Sequence, residues 1–546
     1  MPLRNRRALV RLRRELAYAR LRRQIARVEA YLESSGARSQ VTQRPILFFN
    51  ASTRIHLLSL NGAFGLLASW AVRCSGTPML QVVCERGMEQ CVLGVDRHDL
   101  AKPPPCAPCL RLSRLLYPPP STIHLSLNQG LADAVRDQLV GRPLHELASW
   151  SWDGIPLGEL CLPSLRWVLR RHDLPDDEAV GALFRRYLAS AASLASRFRD
   201  LVEDLRPRAL VVFNGIMYPE AVARAVALAM DVPVITHEVG LQPLSAYFSH
   251  QHATFREVSL ADGELDPREA ERLDRYLEDR SQGRFTMAGI RFWPEIQPLP
   301  DSLRKRIEAH SQTVAVFTNV VFDTSQVHAN TLFGSMFEWL NDLRQEIDSH
   351  PETLFVLRAH PDEDRPGKES RQSVAEWMRE SGLLAKKNVA FFGPQEPVSS
   401  YELIRQAKLI LVYNSSIGLE GSIAGVPVLC AGRARYTQLP TVFFPSSRDA
   451  YRDQLQAFLN AVRIDVPPEF AKNARRFLAF ELFHASLDFS EFLEGDSEFP
   501  GMVQLKLFDP RDLSDNAALS VVRQGILEGT PFVLPSNGSA DAAPRV

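Results

Sequence analysis

Apolar positions along this chain fall into short runs that end in polar or turn residues, separated by helix-length segments. RPILFFN (44–50) and MLQVVC (79–84) flank one such segment, and RALVVFNG (208–215) and VPVITHEVG (232–240) bracket IMYPEAVARAVALAMD, whose alanines and valines suit a buried helix. A long helical region, about 176–205, precedes that second unit. A second block starts near 312: TVAVFTNV, TLFVLRAHP, NVAFFG, LILVYNSS and VPVLCAG read as strands, and SMFEWLNDLRQEI as an amphipathic helix. Strands alternating with helices predict parallel sheets covered on both faces. The proline-rich FWPEIQPLPDS (292–302) reads as a linker. The fold class expected is therefore α/β, with two Rossmann-like domains, 41–295 and 303–490, facing across a cleft. A C-terminal extension, 491–546, follows, and its Gly-, Ser-, Ala- and Pro-rich end from about 529 predicts disorder.

Residues 1–40 form a separate basic segment. Residues 1–28 hold ten arginines and one acid, Glu15, while Tyr18, Leu21, Ile25, Val28 and Leu32 recur at spacings of 3 and 4, as on one helix face. Three uses are open to such a helix over 1–35: packing on its own domain, lying on an anionic membrane surface, or pairing with a partner helix.

Composition narrows the function classes. Lys+Arg 63 against Asp+Glu 64 gives a net charge of −1, which argues against a nucleic-acid binder. Only 8 of the basic residues are lysine, an arginine bias read as codon usage. No run of 18 apolar residues predicts a membrane span, and the basic N-terminus lacks the apolar core of a secretion signal, so a cytoplasmic protein is expected. Seven cysteines fit a reducing compartment. Cys84, Cys91, Cys106 and Cys109 lie within 26 residues, but only one pair is close, so unligated thiols are favoured over a structural zinc or a redox pair.

Ligands of open parallel sheets bind beyond the strands' carboxyl ends, so the residues after each strand are the candidates. In LILVYNSSIGLEGSIAGVPVLCAG (409–432) a strand runs into Asn414, Ser415 and Ser416, and a helix of small residues follows. The free amides of a helix start attract phosphate, Gly418 and Gly421 would let a ligand approach the backbone, and Glu420 would accept from ribose hydroxyls. The bland alternative is ordinary helix capping. In LFVLRAHPDEDR (354–365), His360 ends a strand that Pro361 stops, and its imidazole can donate to a phosphate or oppose charge on a leaving group. Arg358 shares its face and either adds a cation or pairs with an acid. In VITHEVGLQP (234–243), Glu238 follows a strand, Gly240 makes the turn, and the carboxylate can act as general base toward an acceptor hydroxyl. Asn214, Asn319 and Asp323 occupy similar strand-end positions.

In that order, VVFNG, THEVG, FTNVVFD, LRAHP and YNSSIGLEGSIAGVPVLCAG resemble the capsule polysaccharide biosynthesis family of bacterial glycosyltransferases over about residues 205–435, with a weaker echo in WDGIPLGELCLPSLRWVLR (152–170). The resemblance implies the two-domain GT-B fold. It implies that His360-Pro361 and Ser415-Ser416 hold the donor's nucleotide and phosphates, that Glu420 binds ribose, and that Glu238 with Gly240 supplies the base. Related enzymes often have two adjacent acids before the glycine, whereas this chain reads His237-Glu238-Val239-Gly240. The implied reaction moves a sugar from a nucleotide-sugar donor to a hydroxyl of a bacterial surface polysaccharide or its lipid-linked precursor. No Asp-x-Asp pair stands at a convincing strand end, so neither a required metal nor a cofactor is expected. The competing readings are a nucleotide-sugar epimerase, a polyol-phosphate transferase, and a non-catalytic scaffold recruited through residues 1–35.

Overall fold

The computed structural model describes residues 3–34, 44–51, 57–260, 263–284, 296–496, 499 and 501–535, with side chains from Glu15 onward. Two α/β units are present. The first sheet contains β1 (Ile46–Phe49), β2 (Met79–Cys84), β3 (Thr122–Leu125), β4 (Ala209–Phe213), β5 (Val234–Val239) and β6 (Ser245–Ser249). The second is built from β7 (Gln312–Phe317), β8 (Thr353–Arg358), β9 (Val389–Phe392), β10 (Leu409–Val412) and β11 (Val428–Cys430), and β12 (Leu487–Asp488) returns to the first. The apolar runs become central strands because both faces of β1, β4, β8 and β10 are sealed by helices, which requires continuous rather than alternating burial. Three of these strands lacked a readable run, among them the two-residue β12. β3 is a half-exposed edge and β6 only five residues long.

The first sheet runs β12-β6-β5-β4-β1-β2-β3, parallel from β5 to β3, with β6 antiparallel to β5 and β12 antiparallel to β6. The second runs β11-β10-β7-β8-β9 and is parallel throughout. In each, the chain builds outward on one side of the first strand and then crosses to the other side. The crevices at these switch points open at the carboxyl ends of β1 and β4, and of β7 and β10.

After the helix Pro468–Phe480, which packs Ala474, Phe477 and Leu478 into the second unit, the chain crosses back. Phe489, Phe492, Leu493, Leu519 and Val522 then enter the core beneath the first sheet. The expected C-terminal extension is therefore part of the first unit as far as it is described. Residues 536–546, where most of the predicted disorder falls, lie outside the described residues, as do 292–295 of the expected linker. At the crossing sits Glu481, 1% exposed, which takes Arg256 of the first unit on one oxygen and Arg435 of the second on the other, at 3.0 Å. Burial alone would push its carboxyl up, but the two guanidiniums hold it below the usual range.

The N-terminal helix Leu3–Ser34 turns Tyr18, Leu21, Ile25, Val28 and Leu32 onto this same core, and Glu29 pairs with Arg73 at 2.6 Å. The apolar face that membrane or partner binding would have used is thus taken up by the protein itself. Outward it presents Arg20, Arg22, Arg23 and Arg27.

Removing one member of a buried ion pair leaves an uncompensated charge. Glu481→Gln, which strands two arginines at the crossing, should cost about 3–5 kcal/mol, read as a lowered urea midpoint beside the wild type.

Candidate active site

Glu238 is the penultimate residue of β5, one residue past a histidine that points the opposite way because strand side chains alternate. His237 is sealed, its Nε2 lies 3.2 Å from Asn50 Oδ1, and burial lowers it to about 3, so it is a neutral structural group. Glu238, half-buried, lies within electrostatic reach of Asp323 and Arg435. It accepts from Asn214 Nδ2 (3.1 Å), Asn61 Nδ2 (3.3 Å) and the Val239 amide (2.8 Å). Burial raises its pKa, and these three donors work against that rise. The result is a carboxylate fixed in direction and more basic than a free one. Asn214 is held in the left-handed region (φ 24°) by its own side chain, which accepts from Ile216 N at 2.9 Å. Gly240 does not make the turn as expected: the reversal comes at Leu244 (φ 56°), and Gly240 is needed because a Cβ there would strike Ser245 and Ser486.

Across the cleft, His360 follows β8. Its Nδ1 accepts from Asp362 N at 3.1 Å, so the neutral ring carries its proton on Nε2. Burial lowers its pKa, while Asp362 and Asp323 oppose the shift. Asn319 after β7 and Asn414 after β10 meet at the switch point, where Asn414 N donates to Asn319 Oδ1 at 3.3 Å. Ser416 precedes the helix Ile417–Ile423 without capping it: its backbone is helical and its side chain makes no cap bond, which removes the capping alternative for this serine. The Gly418 and Leu419 amides bond Ser415 O and Ser416 O at 3.1 Å.

A cavity of about 220 Å³ is lined by Asn319, His360, Asn414, Ser415, Ser416 and Glu420 together with Leu241, Thr254 and Phe255 of the first unit. A second space of about 140 Å³, between Thr318, Pro361, Tyr401 and Ile417, shares Arg280, His360, Ser415 and Ser416 with it. The two chambers thus meet at one arginine, one histidine and two serines. Asp323 lies at the cleft, close enough that its charge acts on both Glu238 and His360.

Three expectations change. Arg358 lines the smaller chamber, but it is spent on the Glu396 (2.6 Å) and Gly393 (3.3 Å) carbonyls, and burial lowers it to about 10. Glu420 is engaged on both oxygens, by Arg280 at 2.6 Å and by the Tyr401 hydroxyl, so a ribose would share an occupied carboxylate. Gly418 and Gly421 admit protein rather than ligand. A Cβ on the first would lie 2.6 Å from the Tyr436 hydroxyl oxygen and on the second 2.5 Å from Ile410 Cδ1, so both let this helix close onto β10.

Sequence reasoning missed Arg280, Arg433 and Arg435. The last two follow β11 within GRARY, a strand-end position that the same rule would have found. Arg433 lies over Phe255 of the other unit at 4.1 Å. Arg280 joins Glu420 across 140 residues and left no local signal. No three His, Cys, Asp or Glu side chains converge on a metal position among the described residues. Cys91 is pushed up to about 12 by burial and remains a thiol.

Residues 299–439 match the family model described as capsule polysaccharide biosynthesis protein. The match covers about a quarter of the chain. It carries Asn319, His360, Asn414, Ser415, Ser416 and Glu420, whereas Glu238 lies outside it. Solved structures similar to the chain include KpsC of Thermosulfurimonas dismutans. Its beta Kdo 2,4 transferase is 12% identical over 51% of this chain and 80% of that one, TM-score 0.34. Its beta Kdo 2,7 transferase is 17% identical over 57% and 85%, TM-score 0.31. UDP-GlcNAc 2-epimerase from Neisseria meningitidis, bound to UDP-GlcNAc, is 11% identical over 80% and 99%, TM-score 0.23. No curated protein matches the sequence.

Within the capsule-synthesis stretch, Glu363 is 1% exposed, donates nothing, and accepts from Val374 N at 2.6 Å, and burial raises it to about 8. A carboxyl raised on folding stabilises most at low pH and loses that contribution as pH rises toward the folded value. The stability gap between Glu363→Gln and the wild type should therefore widen from about pH 5 to pH 8, by up to about 1.4 kcal/mol per pH unit, and then level off. Thermal unfolding across that pH range measures it.

Proposed function

We propose that this protein is a glycosyltransferase of bacterial surface-polysaccharide assembly, moving a sugar from a nucleotide-sugar to a hydroxyl of a growing glycan or its lipid-linked precursor. One observation carries the reading. Glu238, a hydrogen-bonded and raised carboxylate of the first unit, lies within electrostatic reach of Arg435, which lines the same cavity as His360, Ser415 and Ser416 of the second. The capsule-synthesis match over the donor-side residues supports the same class of reaction.

In this reading the nucleotide occupies the chamber of the second unit and the sugar extends into the cleft toward Leu241 and Phe255. Ser415, Ser416 and the Nε2–H of His360 donate to phosphate oxygens, and that donation strengthens as negative charge grows on the departing nucleotide. Glu238 takes the proton of the attacking acceptor hydroxyl, held in line by Asn61 and Asn214. Closure of the two units shuts out water that would otherwise compete with the acceptor. Contact with an anionic membrane, where a lipid-linked acceptor would reside, runs through the outward arginines of the N-terminal helix rather than through an inserted apolar face.

Thermal stability screened against CMP-, UDP-, GDP- and dTDP-linked sugars should single out one nucleotide, since a donor at a hundred times its Kd adds roughly 2.7 kcal/mol. A scaffold would respond to none. Glu238→Gln should keep that stabilisation and lose transfer, and His360→Ala should lower kcat with the fold retained. An active Glu238→Gln enzyme removes the base from this account, and conversion of the nucleotide-sugar without any acceptor would make the protein an epimerase instead. Asn61→Ala removes a hydrogen bond that favours the carboxylate form, so the acid limb of the pH–rate profile should move to higher pH.

A further inference from the structure

The segment 152–170 plays no part in the site above, yet its last residue lies at the junction of the two units. Arg170 closes the helix Leu157–Leu169 in the left-handed region (φ 60°) and is 2% exposed. Its guanidinium sits 4.2 Å from the Trp167 ring centroid and 4.9 Å from that of Phe322, a residue of the other unit. Stacking satisfies its faces, but Nε and Nη1 are buried with no hydrogen-bond partner. Leaving such donors unmet is costly, and buried charges are normally paired.

The loop opposite brings more cations to the same place. Arg371 N donates to Arg170 O at 2.8 Å, and Arg97 Nη1 donates to Gly367 O at 3.0 Å, which ties residues 365–371 of the second unit to the end of this helix. On that loop stand Arg365 and the solvent-accessible Lys368. Of the nearby acids, Asp362 pairs with Arg365 at 3.5 Å, while Glu369 and Asp323 act on Arg170 by their charge without a hydrogen bond to its Nε or Nη1. Burial, with Arg97 adding to it, pushes Arg170 down to about 9. The protein atoms around Lys368, then Arg365 and Arg170, lower its ammonium as well. Positive charge is held here at a cost that an anion would relieve.

We propose that this junction is an anion subsite, in which Arg170, Arg365 and Lys368 receive a carboxylate or phosphate carried by the acceptor glycan. The proposal rests on the transferase reading and deepens it by naming the acceptor as acidic. Asp323, whose charge reaches Lys368, Arg170, Glu238 and His360, links the subsite to the cleft where the acceptor hydroxyl must lie. A sealed guanidinium between two units is out of reach of a membrane surface, but not of a group carried in on a glycan when the cleft opens. Because the cations come from both units, binding the anion also favours closure.

The test is calorimetric titration of the full chain with D-glucuronate and with glucose 6-phosphate at constant ionic strength. The same titrations are run on Lys368→Met and on Arg170→Met, which keeps an apolar stem between the two rings. Saturable binding of either anion is expected, weakened at least about tenfold in both variants, as for loss of a hydrogen bond to a charged group. The stabilising nucleotide should bind all three proteins alike. The preferred anion tells carboxylate from phosphate. Equal affinity in wild type and Lys368→Met, no saturable binding of either anion, or binding only to vesicles of phosphatidylglycerol and phosphatidylcholine overturns the proposal. If the anion binds as expected and no nucleotide does, the subsite stands and the transferase reading fails.

Discussion

Glu481 ties the two units together. A carboxylate removed from water must be met by cations, and here one comes from each unit, Arg256 and Arg435, at the place where the chain passes from the second sheet to β12. Glu481 itself lines the cavity between the units. It also places Arg435, and Arg433 two residues before it, on the cavity wall, so the element that joins the units also shapes the site.

Both crevices are built on one plan. Asn50 and Asn214 follow β1 and β4, and Asn319 and Asn414 follow β7 and β10, the two strands on either side of each switch point. Asparagine suits these positions because its side chain replaces backbone partners that the diverging loops no longer supply: Asn214 accepts from Ile216 N and Asn319 from Asn414 N. In the first unit Asn214 also donates to Glu238. In the second, His360, Ser415 and Ser416 stand around a space that protein does not fill. In the proposed reaction, acid–base chemistry and phosphate recognition fall to different units, so the substrates have to bridge the cleft.

Much of this was legible beforehand, and for a local reason. Runs such as ILFF, ALVVF, LFVLR and LILV are buried on both faces, so their apolar character is continuous and their ends are marked by the first polar residue. His360, Asn414, Ser415 and Ser416 were found by that rule, and the same rule extended to GRARY would have reached Arg433 and Arg435. The short strand β6 was not legible, because its burial depends on β12, more than 230 residues away. Nor was the fate of the N-terminal stripe: a 3/4 repeat says that one face is apolar, and not whether that face meets a membrane, a partner or its own core.

By itself the sequence determined that this is an α/β protein with parallel sheets, and which side chains stand at the sheets' carboxyl edges, because strand ends and alternation are properties of neighbouring residues. Only the tertiary structure decided what those side chains do. It gave Glu420 to Arg280 and Tyr401, and Arg358 to two carbonyls. It turned His237 inward and Glu238 outward, and left Arg170 buried without a hydrogen-bond partner on Nε and Nη1. Such pairings join positions tens to hundreds of residues apart, and they are set by competition among buried charges for a few available partners, which no local pattern records.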